Sequence, residues 1–194
     1  MGQYYKPVLL KEDYNKSEDP IVGFIDTWDC NCGLKLMEHS YVGNHVTLQM
    51  EKELAEKHYG TRLVWAGDYA DENENWKDEL GDYLNTYKLC DLLEERNMPI
   101  RIKPDDYETL VPHKFVLNLD KKEWVRIPKR VKGKWAIHPL PLLCADGNDR
   151  GGGDFHKGGR GYKYVGRWAY DHIGVADEVP KGFKEIRPRF KEDR

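Results

Sequence analysis

The sequence has no run of roughly 18 consecutive apolar residues, the length a helix needs to cross a bilayer. A membrane-spanning role is therefore not expected. The opening stretch, Met1-Gly2-Gln3-Tyr4-Tyr5-Lys6, has no apolar core of the kind a secretory leader carries. Lys6 stands where a myristoylation motif wants Ser or Thr, so lipid anchoring through Gly2 is not expected either. Cysteine is sparse, at four residues: Cys30, Cys32, Cys90 and Cys144. A secreted disulfide framework is usually denser in a shorter chain, so the expectation is reduced thiols in a cytoplasm. Apolar residues are also few, at 39%, and the mean hydropathy is −0.81.

Named catalytic and cofactor signatures are missing as well. There is no Gly-Lys-Ser/Thr of a phosphate-binding loop and no dinucleotide fingerprint opening a helix. Gly-x-Ser-x-Gly and His-Glu-x-x-His are absent, which leaves the common hydrolase chemistries without a carrier. A calcium loop starting at Asp146 fails: Arg150 stands where an oxygen ligand is needed, and Lys157 takes the twelfth place. No internal period appears, which excludes solenoids and propellers.

What is present describes a folded chain with a hydrophilic surface. Six Trp and twelve Tyr argue against disorder. The 194 residues suffice for one domain with its own core, read here as 1–194. The net charge of −3 hides an asymmetry. Residues 1–97 carry 10 Lys and Arg against 20 Asp and Glu, a net of −10; residues 98–194 carry 21 against 14, a net of +7. Two readings stand: one face meets an anion, or the halves attract each other within one fold.

The periodicity predicts an α+β fold with a mostly antiparallel sheet, two main helices in the N-terminal half and a β-rich C-terminal half. Residues 4–10 read as a strand that Pro7 pushes to an edge, and residues 21–28 as a second. Asn44 caps a helix on which Val46, Met50 and Leu54 recur every fourth residue, and Gly60 stops it. Residues 61–66 read as a buried strand, followed by an acidic loop from Gly67 to about Lys77. A second helix is predicted from about Asp78 to Arg96, with Leu80, Tyr83, Leu84 and Tyr87 as its apolar stripe. Phe115–Leu119 and Glu123–Ile127 form a hairpin. Trp135–Leu143 reads as a strand interrupted by Pro139 and Pro141. Residues 146–163 form a glycine-rich loop, Tyr164–Val175 one or two strands, and the chain from about 181 a loose basic tail.

The densest chemical feature is the basic stripe from Lys121 to Lys134. Side-chain alternation along 123–127 puts Val125 and Ile127 with Glu123, and Lys122, Trp124 and Arg126 on the other face. A tryptophan flanked by cations suits an anionic aromatic ligand, the ring stacking on a base while the cations meet phosphate. The alternative is a solvated hairpin whose Trp packs on lysine stems. Lys129 and Arg130 extend the same wall. In the glycine-rich loop, backbone amides can cradle an anion, with Arg150, His156 and Arg160 adding charge. A mobile surface loop is the plainer reading. Cys30 and Cys32 with His39 make an incomplete zinc set. Asp68, Asp71 and Glu72 follow a buried strand, where His39 could act as a general base oriented by an acid. The remaining histidines show no ligand spacing, and His138-Pro139 reads as a chain-turning site.

Three stretches, Met1-Gly2-Gln3-Tyr4-Tyr5-Lys6-Pro7, Gly33-Leu34-Lys35-Leu36-Met37-Glu38-His39-Ser40 and Val64-Trp65-Ala66-Gly67-Asp68-Tyr69-Ala70-Asp71, together resemble a family of uncharacterised proteins from bacteriophages and phage-bearing gut bacteria. The stretch from Leu143 to Asp154 is similar to that family too. The resemblance implies a setting, a phage or prophage gene expressed in bacterial cytoplasm, and no catalytic residues or cofactor. The expectation is a non-enzymatic accessory protein that recognises an anionic partner: a nucleotide, a nucleic acid or a host enzyme of nucleic-acid metabolism. The alternatives are a small hydrolase or transferase for a phosphate- or nucleotide-bearing substrate, using His39, Asp68 and Asp71, and a protein inhibitor that covers a host nucleic-acid surface.

Overall fold

The computed structural model describes residues 2–93, 99–102, 112–129, 135–148, 155 and 161–190. Its centre is one mixed sheet to which both halves of the chain contribute. The elements in chain order are β1 (Tyr5–Leu10), β2 (Ile21–Phe24), α1 (Leu36–His39), α2 (His45–Ala55), β3 (Thr61–Gly67), β4 (Asn73–Lys77), β5 (Tyr83–Leu84), α3 (Thr86–Leu93), β6 (Phe115–Asn118), β7 (Glu123–Arg126), α4 (Pro139–Leu143), β8 (Ala145–Asp146), β9 (His172–Ala176) and β10 (Lys184–Glu185). The strand order is β10-β7-β6-β9-β3-β1-β2, and β8 also pairs with β3. All pairings are antiparallel except β3 with β8 and β7 with β10, so the fold is α+β with a mostly antiparallel sheet. β4 and β5 make a small separate sheet.

Alternation along the strands divides the buried residues into two layers. Leu9, Leu63, Trp65, Val116, Val125, Ile173 and Val175 turn to one face, where α1, α2 and α4 supply Leu36, Val46, Met50, Leu54, Leu140 and Leu143. Val8, Leu10, Val64 and Ala66 turn to the other, where Trp76, Leu84, Tyr87, Leu89 and Cys90 cover them. Each fully buried aliphatic side chain contributes about 1.5–3 kcal/mol. The second layer stops at β3; none of its members comes from β6 or β7.

α2 forms as its sequence pattern dictates. The Asn44 carboxamide accepts the Val46 amide, the apolar repeat faces the sheet, and Gly60 at φ +77 turns the chain into β3. The second helix starts later than predicted, and the end of the predicted span, 94–96, lies outside the described residues. The Asp78 carboxylate accepts the amides of Leu80 and Asp82, and Gly81 takes φ +88, so residues 78–82 turn between β4 and β5. α3 starts only after Asn85, whose side chain accepts the Lys88 amide. Leu80 is therefore 88% exposed, and the acidic loop contains a strand, β4.

Pro7 does not place β1 at an edge. β1 lies between β2 and β3, pairing with β3 from Tyr5 to Leu10. The Pro7 carbonyl accepts Ile25, so the missing donor points to the β2 side, where the ladder covers only Val8–Leu10. Residues 135–143 are not a strand: Ile137 makes a single bridge to Tyr41, and His138 caps α4 by accepting the Leu140 amide. The prolines that looked like strand breakers stand in the first turns of that helix, where a missing N–H costs nothing. Before β9, residues 161–171 run through a 3-10 turn and successive tight turns rather than a strand. The C-terminal stretch is held, not loose, as far as Phe190. Ile186 donates to the Trp124 carbonyl, and Phe190 packs edge-on against Phe155.

Candidate functional sites

The β6–β7 hairpin forms, with the side-chain alternation expected along 123–127. Asn118 pairs with Glu123 and Phe115 with Arg126. Val125 and Ile127 are buried in the first layer. Glu123 is buried too: it accepts from the guanidinium of Arg167 and from the Trp168 indole at 3.0 Å. Burial raises its pKa, but these donors outweigh that and hold the carboxyl below its usual range.

Lys122 and Arg126 are exposed on the opposite side, with Trp124 half-buried between them. The Trp124 ring meets Phe115 edge-on at 5.2 Å, and the Arg126 guanidinium lies 4.9 Å from the Phe115 centroid. The hairpin thus presents two aromatic rings and two cations around Leu117, which pairs with Trp124 and is itself fully buried. Lys122 sits at the turn with φ +49. Lys129 is exposed just past β7. The row is partly countered by Glu185, which stands opposite Trp124 in β10. Arg187 at 2.6 Å, and Arg126 further off, hold its carboxyl below the usual range. Lys121, next in the stripe, is tied to Asp171. Arg130, Arg150, His156 and Arg160 lie outside the described residues, and so does most of the glycine-rich loop.

His39, Asp68 and Asp71 do not form one site. His39 is fully buried in the first layer; its Nε2 accepts the Trp65 indole at 2.8 Å, and its Nδ1 donates to the Gly33 carbonyl at 3.1 Å. Both nitrogens are committed, and burial lowers its pKa to about 4. It is a core histidine. Asp68 lies past the end of β3 and accepts the Tyr4 amide, with burial raising its pKa. The zinc reading also fails. Cys30 and Cys32 are bonded as a disulfide, which corrects the expectation of reduced thiols for this pair, while Cys90 and Cys144 are buried and form no disulfide. Among the described residues no group of three metal-binding side chains occurs.

Asp71 belongs to a different constellation that sequence reasoning missed. A cleft of about 550 Å³ opens beside the second layer, lined by Tyr14, Asp71, Glu74, Trp76, Thr86, Asp146 and Tyr170 among others. In β8, Ala145 turns to the first layer, so Asp146 turns the other way, towards this cleft. The Tyr170 hydroxyl donates to Asp146 at 2.5 Å and lies 3.4 Å from Thr86. Burial raises the Asp146 pKa; the Tyr170 bond opposes that and the Asp71 charge adds to it. Tyr14 stacks on Tyr170, with ring centroids 5.3 Å apart and planes 8° from parallel.

A third polar cluster joins the two halves. His172 meets Asp120 at 2.7 Å and Glu12 at 2.5 Å, and Glu12 also pairs with Arg62 at 2.8 Å. No helix of the described residues is long and apolar enough to cross a membrane. Comparison of the chain with family models, curated proteins and solved structures gives no match.

Proposed function

We propose that the protein is a non-enzymatic accessory binding protein whose β6–β7 hairpin takes a single strand of nucleic acid, in the phage setting that the sequence resemblance implies. The observation that carries this reading is the row Lys122, Trp124, Arg126 and Phe115 on the side of the hairpin turned away from the first layer, with both cations exposed and the rings half-buried. Base stacking on an aromatic ring contributes about 1–3 kcal/mol and tolerates any base. Exposed cations spaced by alternation follow a phosphate backbone and release its counterions. The enzymatic alternative loses its base, since His39 has no free nitrogen and faces the other layer.

The test is fluorescence anisotropy of a labelled oligothymidine over a range of salt concentrations. Wild type is expected to bind with an affinity that falls as salt rises. Replacing Lys122 and Arg126 by Ala removes two phosphate contacts and should flatten the log–log slope by about 1.4. Trp124→Ala should weaken binding about tenfold while leaving that slope in place. Equal affinity and slope in wild type and the double variant would remove the hairpin from the function.

A further inference from the structure

We propose that the cleft between β4, β8 and the Tyr14–Tyr170 pair is a binding site for a guanine-type heterocycle: a planar ring with a two-donor edge and a carbonyl acceptor. This goes beyond the nucleic-acid reading and does not rest on it, since it uses none of the hairpin residues.

Three features of the cleft each call for one part of such a ligand. The first is surplus acceptors. Asp146 is largely buried and receives one hydrogen from Tyr170, leaving lone pairs for more. Asp71 lies close enough for its charge to oppose that of Asp146, so donors placed between them relieve a repulsion already present. An amidine edge, with N–H and NH₂ side by side, matches one carboxylate in bidentate fashion.

The second is a donor without an acceptor. Trp76 lines the cleft and is 4% exposed, and its indole N–H has no partner. Buried donors are almost always paired, and leaving one unpaired costs about 1–3 kcal/mol. A carbonyl on the ligand answers it. A simple guanidinium or ammonium cannot, because neither has an acceptor. The third is the flat wall. Tyr14 and Tyr170 stack on each other at the cleft, with Arg62 over the Tyr14 ring, and a planar ring extends such a stack where an aliphatic amine does not. A cleft of about 550 Å³ is ample for a purine nucleoside.

The charge of the rim sets the form of the ligand. Asp71 and Glu74 are exposed at the cleft and disfavour a phosphate, so the base or nucleoside should bind better than the nucleotide.

The experiment is a titration of the ¹⁵N-labelled full chain with guanosine, followed by NMR, with inosine, adenosine and guanosine monophosphate as comparisons. The expected result is a saturable shift of the Trp76 indole N–H, assigned from a Trp76→Phe spectrum. Inosine lacks the second donor and should bind at least about tenfold more weakly, adenosine more weakly again. Asp146→Asn should cost about tenfold or more, and its unchanged circular dichroism would show that the fold persists. Asp71→Asn, at an exposed position, gives a second reading with less risk to folding. Guanosine binding more tightly than its monophosphate assigns a free nucleoside or base; the reverse assigns a guanine base carried on a phosphate chain. An unmoved Trp76 indole at saturating guanosine, or equal binding of guanosine and adenosine, overturns the proposal. Failure of the oligothymidine test leaves this site untouched, because thymine lacks the amidine edge.

Discussion

Acid should unfold this protein partly through His39, and the size of the effect follows from its surroundings. Removal from water lowers its pKa to about 4 from an ordinary 6.5, against the opposing help of the Gly33 carbonyl and Glu38. The folded state therefore takes up this proton less readily than the unfolded chain. The sign is that of a depressed group: the contribution is complete above about pH 6.5 and is lost as pH falls towards about 4. Each pH unit traversed carries about 1.4 kcal/mol, so the loss is on the order of 3 kcal/mol. Other groups titrate in the same window, which a wild-type curve alone would not separate. His39→Gln isolates the histidine, since a carboxamide can accept the Trp65 indole and donate to the Gly33 carbonyl but does not titrate. Urea unfolding at intervals from pH 7.5 to 4 should show wild type losing stability faster than the variant, the gap between them changing by about 3 kcal/mol. Parallel curves would mean that His39 is not held neutral by burial, and the packing described for the first layer would be wrong.

Two further perturbations address the other face. Lys6 is 2% exposed beneath α3, paired with Asp26 at 2.7 Å and Asp91 at 2.6 Å, with its ammonium 4.7 Å from the Tyr87 ring. Lys6→Met strands the buried Asp26 carboxylate and should cost about 3–5 kcal/mol, a fall in Tm on the order of 10 °C. Adding Asp26→Asn, which keeps an acceptor for the Trp28 amide, should recover part of that loss; no recovery in a thermal melt would count against a charge-based cause. His172 behaves in the opposite sense to His39. Partial burial works against its charge, but the bonds to Asp120 and Glu12 outweigh this and raise its pKa. Its contribution is complete below the ordinary histidine range and is lost as pH rises through the raised value. Unfolding free energy compared between wild type and His172→Asn should therefore converge on the alkaline side, and a gap that is constant across neutral pH would refute the pairing.

Local signals were legible where one short segment decides the outcome. α2 carries its cap, its repeat and its stop within 17 residues of chain, Asn44 to Gly60, and folds as that pattern requires. The facing of β7 could be read because turning the strand over would bury Lys122, Trp124 and Arg126 and expose Val125. The long second helix was a false reading for a physical reason. Leu80, Tyr83, Leu84 and Tyr87 have helical spacing, but an Asp78 turn and a left-handed Gly81 cost less there than a helix through glycine would. Pro7 misled because the rule about proline concerns a donor, and which neighbour that donor would face depends on β2, which lies beyond a ten-residue loop.

The cleft was illegible for a different reason: its parts come from five separate places in the chain. Tyr14 follows β1, Asp71 precedes β4, Trp76 belongs to β4, Asp146 closes a two-residue strand, and Tyr170 precedes β9. No spacing rule links them, and a two-residue strand is too short for alternation to show on which side Asp146 falls. The charge split between the halves did carry information, though not of the kind expected. β3 from the acidic half lies between β1 and β9, and β9 and β8 from the basic half pair with it. The halves are therefore joined in one sheet, with Glu12–His172 and Arg62–Asp120 bridging them. Yet the charges do not simply cancel. Beyond β9 the exposed side of β7 keeps Lys122 and Arg126, while the cleft beside β4 keeps Asp71, Glu74 and Asp146. One side of one sheet thus offers cations at one end and acceptors at the other. A single ligand class cannot suit both, which is why the hairpin and the cleft are assigned to different partners and tested with different molecules.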